Sequence, residues 1–364
     1  MRISSRPLIT RSGFAKSARL SPRRVKHSKS DTFESLVLAY RRCAEACHFR
    51  QGQIRAQAIV EYAKENFAAD NPLWVVAHLA QSEVAFCLGD FQSARLAGTL
   101  AWRQAQKTLK VSDFDYFRAA KRQAILLDFN ESFHRAMEMV RHAEASVQTL
   151  DVGPQPMFEF LAVKIKVQAH LLRFSEARAT LEALQTWVDQ HMASDPRVVV
   201  EMKLWQAYLT VKDSNLSKTE RLMGEVMASW DKMGNPLCAA YASSLLLGAV
   251  VADGRGDYVS AYREGVKSLR ITQTIFCDEY PAHALLYEFL AVQTAKRKDK
   301  PETLAYSKQC LTLVGQVFGK RSRHYLRALS QFAMIFESND WMDLAKFFND
   351  QFTALRDSGL RRGR

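Results

Sequence analysis

The chain has 364 residues, too many for a single packed core of ordinary size, so two domains or one extended repeat array are expected. With 48% hydrophobic and 24% charged residues it is not disordered throughout, and no run of eighteen apolar residues is present to span a bilayer. Its net charge of +13 invites a nucleic-acid reading, while 15 glycines and 9 prolines are too few for an all-β chain. The six cysteines form no disulfide framework for this length, and no secretory signal peptide is read, so an intracellular, reducing setting is expected.

The charge is concentrated at the ends. Residues 1–30 carry nine basic and no acidic residues, and Arg361, Arg362 and Arg364 add three, leaving +1 for the body between them. A nucleic-acid-binding fold would carry the excess on its own helices, so nucleic acid is not the expected partner. The first thirty residues also hold seven serines and few large apolar side chains, which cannot bury enough surface to order themselves. Residues 1–30 are therefore expected to be a disordered arm. It reads as a solubilising tail, as a mitochondrial or plastid transit peptide, or as a strip that binds an acidic surface such as tubulin. In the last reading the contacts come from Arg19, Arg23, Arg24 and Lys26, together with Arg361 and Arg362 of the basic tail over 358–364. Ser21, in Ser21-Pro22-Arg23-Arg24, is a candidate proline-directed phosphorylation site.

From residue 31 to 357 the expected structure is helical. A first, less regular hairpin spans Thr32–Cys47 and Gln51–Phe67. Next come helices over Leu73–Leu88 and Phe91–Thr108 with the turn Gly89-Asp90 between them. Further on, Leu237–Ala252 and Tyr258–Thr274 flank a turn at 253–257. Pro72, Pro154, Pro156, Pro196, Pro236, Pro281 and Pro301 each begin an apolar pattern, where a missing N–H matters little. A large residue followed three positions later by a small one recurs at Phe91/Ala94, Phe133/Ala136, Phe174/Ala177, Leu216/Thr219 and Tyr258/Ala261. The series continues more weakly at Glu302/Ala305 and Trp341/Leu344, and the period is about forty-two residues. A second marker, Phe67 to Pro72 and Phe276 to Pro281, ends one helix and opens the next in the same phase. Each period is one helical hairpin whose small residue admits close approach, and hairpins must stack to bury their second face. The expected fold is an all-α solenoid of seven or eight antiparallel hairpins.

Leu88-Gly89-Asp90-Phe91 with Ala94, Gly256-Asp257-Tyr258 with Ala261, and the link from Phe276 through Pro281 to Ala284 resemble the tetratricopeptide repeat, in the longer form found in kinesin light chains. The resemblance covers residues 32–356 and implies a right-handed superhelix with a concave groove lined by the first helix of each hairpin. It implies a protein or peptide partner held there. Trp74, His78-Leu79-Ala80-Gln81 and Leu88-Gly89 are similar to one hairpin of ciliary tetratricopeptide adaptors of the Ellis–van Creveld zone type, which suggests a cytoskeletal or ciliary component of the cytoplasm. An organelle-imported (mitochondrial or plastid) helical-repeat protein that assists RNA or complex assembly is the alternative. The armadillo/HEAT class shares the period but not the large-x-x-small signature.

No phosphate-binding glycine loop, zincin helix or nucleophile elbow is present, so no enzyme and no cofactor are expected. Cys43, Cys47 and His48 make at most half a metal site without a complementary pair, so no metal is expected. The histidines, one per helix, read as surface or groove residues, and the tryptophans as core packing with one or two binding anchors. Basic residues on the first helices, Arg118, Lys121, Lys166, Lys203, Arg297 and Lys298, are the candidate contacts for an acidic peptide. First-helix asparagines, which clamp a C-terminal carboxylate in one tetratricopeptide subgroup, are missing.

Overall fold

A computed structural model describes residues 32–212 and 215–360, with side chains through Asp357. Among them it forms sixteen helices and no strand. The arm residues Arg19, Ser21, Arg23, Arg24 and Lys26, and the tail residues Arg361 and Arg362, lie outside the described residues.

The helices pair into eight hairpins. They are α1 (Phe33–Glu45) with α2 (Phe49–Asn66), α3 (Trp74–Cys87) with α4 (Phe91–Thr108), and α5 (Phe114–Phe129) with α6 (Phe133–Val147). Next are α7 (Pro154–His170) with α8 (Phe174–His191), and α9 (Pro196–Lys212) with α10 (Leu216–Lys232). The last three are α11 (Ala239–Gly254) with α12 (Tyr258–Ile275), α13 (His283–Lys296) with α14 (Lys300–Phe318), and α15 (Arg323–Glu337) with α16 (Met342–Leu360). The fold is thus the expected solenoid, at the upper of the two hairpin counts.

The repeat is set by one small buried residue in the first turn of each second helix. Gly52, Ala94, Ala136, Ala177, Thr219, Ala261, Thr303 and Ala345 hold this slot and all are buried. Their spacing is 42, 42, 41, 42, 42, 42 and 42 residues. The last two slots correct the sequence reading: Ala305 is exposed and Leu344 half-buried, whereas Thr303 and Ala345 face the first helix. At those slots the residue three positions earlier is Lys300 or Met342 rather than an aromatic, which removes the marker that showed the phase elsewhere.

A second regularity lies in the turns. Cys47, Gly89, Glu131, Leu172, Gly256, Lys298 and Asp340 all have positive φ, between 54° and 78°. These seven positions follow the repeat spacing, so every described turn inside a hairpin uses one left-handed residue to reverse the chain. The side chains of Asp90, Asn215, Asp257 and Asp299 accept hydrogen bonds from backbone N–H groups three residues on, at 3.0–3.1 Å. Each such cap stabilises the second helix by about 1 kcal/mol.

The superhelix closes on itself. The link between α12 and α13 packs against the first two hairpins: Phe276 stacks on Phe49 at 5.6 Å and Tyr280 meets the edge of Phe86 at 5.9 Å. Beside it Phe91, Phe129 and Phe318 form a triangle with ring centroids 5.1–5.6 Å apart, although Phe318 ends α14. Gln92 Nε2 donates to the carbonyl of Val317 at 3.0 Å, and Arg323 Nη2 to that of Asn130 at 2.6 Å. Aromatic pairs of this kind add about 0.5–1.5 kcal/mol each beyond the area they bury. Phe91 and Leu126 share one core with Leu290, Phe332 and Phe336, so the seam is a continuous apolar interior.

Candidate functional site

Closure turns the expected open groove into a central cavity of about 830 Å³. Its wall comes mainly from the first helices of hairpins three to eight, with Val314 and Phe318 of α14 at the seam. On α9 the lining residues are Glu201, Leu204, Trp205 and Tyr208, spaced as one helical face. Helix α11 contributes Ser243, Leu246, Leu247 and Val250, and α13 contributes Ala284, Leu285 and Glu288. Leu285 stays 56% exposed although it lies on a helix inside the ring, which marks it as a wall residue rather than core.

Two charged groups lie side by side on this wall, their central carboxylates three residues apart and joined by a hydrogen bond from the Glu131 N–H to the Asp128 carbonyl at 2.9 Å. The first is centred on Asp128 near the end of α5, whose side chain is only 3% exposed. Lys166 Nζ lies 3.1 Å and His170 Nδ1 2.7 Å from its carboxylate, both from α7. Burial works to raise the Asp128 carboxyl, but His170 and Lys166 outweigh it and hold it below the usual range. Tyr208 is pushed up to about 12 by burial and then by the Asp128 charge. The second group is centred on Glu131, the left-handed turn residue of hairpin three. Arg327 and His324 of α15 pair with it, and His324 also stacks on Phe318 at 4.0 Å. Burial lowers His324, with Arg323 and Arg327 acting in the same direction and Glu131 against them.

Two further carboxylates line the cavity. Glu201 is pushed up to about 7, chiefly by burial and further by the Asp195 and Glu159 charges. Glu288 is also raised by burial, against the pull of Arg327 and Gln331. Four carboxylates therefore share the wall with the cations Lys166 and Arg327 and with two histidines. Although the whole chain is basic, its cavity is not.

Of the six basic residues singled out from the sequence, Lys166 is the one that lines the cavity. Arg118 pairs with Asp115 at 3.0 Å and Glu83 at 3.6 Å, and Lys121 with Glu159 at 2.6 Å. Lys203 reaches Glu225 at 2.8 Å, away from the Glu201 face of its own helix. Arg297 lies 4.3 Å over the ring of Tyr262, and Lys298, itself a left-handed turn residue, donates to Asn339 at 2.9 Å. Among the histidines, His170 and His324 face the cavity, and among the tryptophans, Trp205 does. Cys43, Cys47 and His48 belong to no cluster of three metal-ligating side chains among the described residues. None of the described helices is long and apolar enough to cross a membrane.

No family model and no curated protein matches the sequence. Solved structures do match in fold. A Rap protein complexed with competence and sporulation factor superposes with a TM-score of 0.60 at 11% identity, over 91% of this chain and 99% of that one. BtubC from P. vanneervenii gives 0.48 at 13% identity, over 66% and 92%. A signal transduction ATPase from Pyrococcus horikoshii with a tetratricopeptide repeat sensor gives 0.49 at 14%, over 92% and 52%. The Rap likeness places this chain among tetratricopeptide-like helical-repeat folds.

Proposed function

We propose that the chain is a non-enzymatic interaction scaffold that holds an extended segment of a partner protein in its central cavity. One observation carries this reading: a half-open, mostly apolar space of ligand-site size, walled by successive first helices and furnished with a few convergent charged groups. The Rap protein, which shares the fold, was solved in complex with competence and sporulation factor, and supports a ligand role for a superhelix of this shape. The proposal is tested with Ser243→Trp. Ser243 is an exposed lining residue, so an indole there fills the cavity without touching the core. Capture of the partner should be lost at an unchanged melting temperature; capture at the wild-type level would move the site elsewhere. The companion variant Arg118→Glu with Lys121→Glu asks whether the basic residues of α5 take part in that capture.

A cytoskeletal or ciliary place for the scaffold, in the manner of kinesin light chains and ciliary adaptors, rests on the repeat resemblance and on the basic ends. Locating the full-length protein beside a version starting at Asp31 separates it from import into an organelle. Entry of the full-length form alone into an organelle identifies residues 1–30 as an address. Accumulation of both on microtubules assigns placement to the repeats.

A further inference from the structure

We propose that the segment held in the cavity carries a lysine or arginine side chain among apolar residues, and that Glu201 and Glu288 receive its charge. The inference rests on the reading of the cavity as a peptide site and specifies what that site selects. It reverses the acidic-peptide preference that the basic residues of the first helices suggested.

The charges already present divide into committed and uncommitted groups. Lys166 is held by Asp128 at 3.1 Å, and Arg327 by Glu131. With those two cations engaged, Glu201 is a carboxylate of the wall outside the salt bridges of the described residues, while Glu288 has a hydrogen bond with Gln331 and a share of the Arg327 attraction. Glu201 feels the charges of Asp195 and Glu159 against that of Arg197, and Glu159 is itself paired with Lys121, so Asp195 is the carboxylate whose repulsion a bound cation would relieve. An incoming acidic side chain would meet repulsion and lose its hydration, whereas a cation gains an ion pair and relieves the repulsion already there.

The surroundings of Glu201 suit a cation as well. Trp205 and Tyr208 follow it at i+4 and i+7 on the same lining face of α9; Lys212 Nζ already lies 5.6 Å from the Tyr208 ring, so Trp205 is the aromatic face beside the carboxylate for a bound cation. Carboxylate and aromatic face together form the usual environment of a bound ammonium or guanidinium group. Leu204, Leu246, Leu247 and Leu285 supply the apolar wall against which neighbouring side chains of the segment and the alkyl stem of its cation can lie. Burial raises both carboxyls in the empty protein, which is the state a bound cation would reverse.

The test uses the full-length protein and an equimolar synthetic library of hexapeptides randomised at every position, with retained peptides read by mass spectrometry. Wild type should enrich lysine or arginine several-fold at one position. Glu201→Gln with Glu288→Gln should abolish that enrichment and weaken retention of the selected peptides by about tenfold or more, the effect of losing a charge-assisted contact. Glutamine keeps the side-chain shape, and a melting curve for this variant confirms that it folds. Peptides retained without enrichment of basic residues, or with enrichment of acidic ones, overturn the inference and leave the peptide site standing. Retention no greater than that of Ser243→Trp overturns both. Equal retention of a simple alkylammonium ion identifies a small organic cation as the occupant and overturns the peptide assignment.

Discussion

The α-carbon of Gly89, in the turn of the second hairpin, lies against the main-chain carbonyl of Glu279, in the link between the sixth and seventh, so closely that no β-carbon fits between them. Gly89 also has φ of +78°. One residue therefore serves two purposes: it reverses the chain inside its own hairpin and leaves room for the far end of the superhelix to dock. Cys277 supports the same contact, with its thiol 3.5 Å from the carbonyl of Cys87.

Gly89→Ala should destabilise the protein by about 2 kcal/mol or more, since it combines a left-handed alanine with a clash against backbone. Denaturant melts measure the loss. Hydrogen exchange should show it first at the seam, in α3, α4 and the 276–281 link; uniform protection there would count against the closure.

Leu172→Gly should act in the opposite direction. Leu172 sits at the equivalent turn with φ of 60° and is 75% exposed, so it is strained without burying much surface. Relief of about 1–2 kcal/mol of left-handed strain, less the added freedom of glycine in the unfolded chain, leaves a net gain of about 0.5–1 kcal/mol. An unchanged or lowered midpoint in urea would refute the assignment of strain.

The phase of the last hairpins is tested by overpacking. Ala177→Trp and Ala261→Trp should each cost about 1–3 kcal/mol or more, because both methyls are fully buried at close helix approaches. Thr303→Trp should behave alike, losing also the hydroxyl contact to Thr294 at 3.0 Å. Ala305→Trp, two residues on and exposed, should be near neutral. Equal effects at 303 and 305 would contradict the eight-slot register.

Glu201 predicts a pH dependence. Its folded carboxyl is pushed from 4.5 to about 7, so between these values the folded state binds the proton more tightly than the unfolded chain. Stability from this group is therefore greatest at low pH, falls as pH rises through the interval, and levels off above it. Glu201→Gln removes the effect. Its advantage over wild type should grow from pH 4.5 to 7 and reach on the order of 1 kcal/mol, allowing for the partial exposure of the side chain. Parallel stability curves for the two proteins would show that Glu201 is ordinarily solvated.

Much of this architecture is written locally. Phe91 and Ala94, or Tyr258 and Ala261, lie within one helical turn, so the same few residues that pack a hairpin also reveal it. Where the aromatic is replaced, at Lys300 and Met342, the register could be followed only through the burial of Thr303 and Ala345. The seam is different in kind. Gly89 and Glu279 are ordinary residues 190 positions apart, and Glu131 has the look of a solvated turn acid until α15 brings Arg327 to it. The face Glu201, Leu204, Trp205 and Tyr208 is visible as a periodic stripe. What it faces depends on curvature accumulated over several hairpins, and no local pattern records that sum.

A superhelix whose successive turns touch, the first three hairpins against the last, has a fixed circumference. In an open array each hairpin answers only to its neighbours, and one may be added or deleted with little consequence elsewhere. Here, splicing one 42-residue unit into or out of the stretch between α5 and α12 would preserve every neighbouring interface. It would nonetheless carry Phe276 away from Phe49, Phe318 from Phe129 and Arg327 from Glu131 together. The count of hairpins is thus a property of the whole chain, and a variant with seven or nine would lose the seam that bounds the cavity.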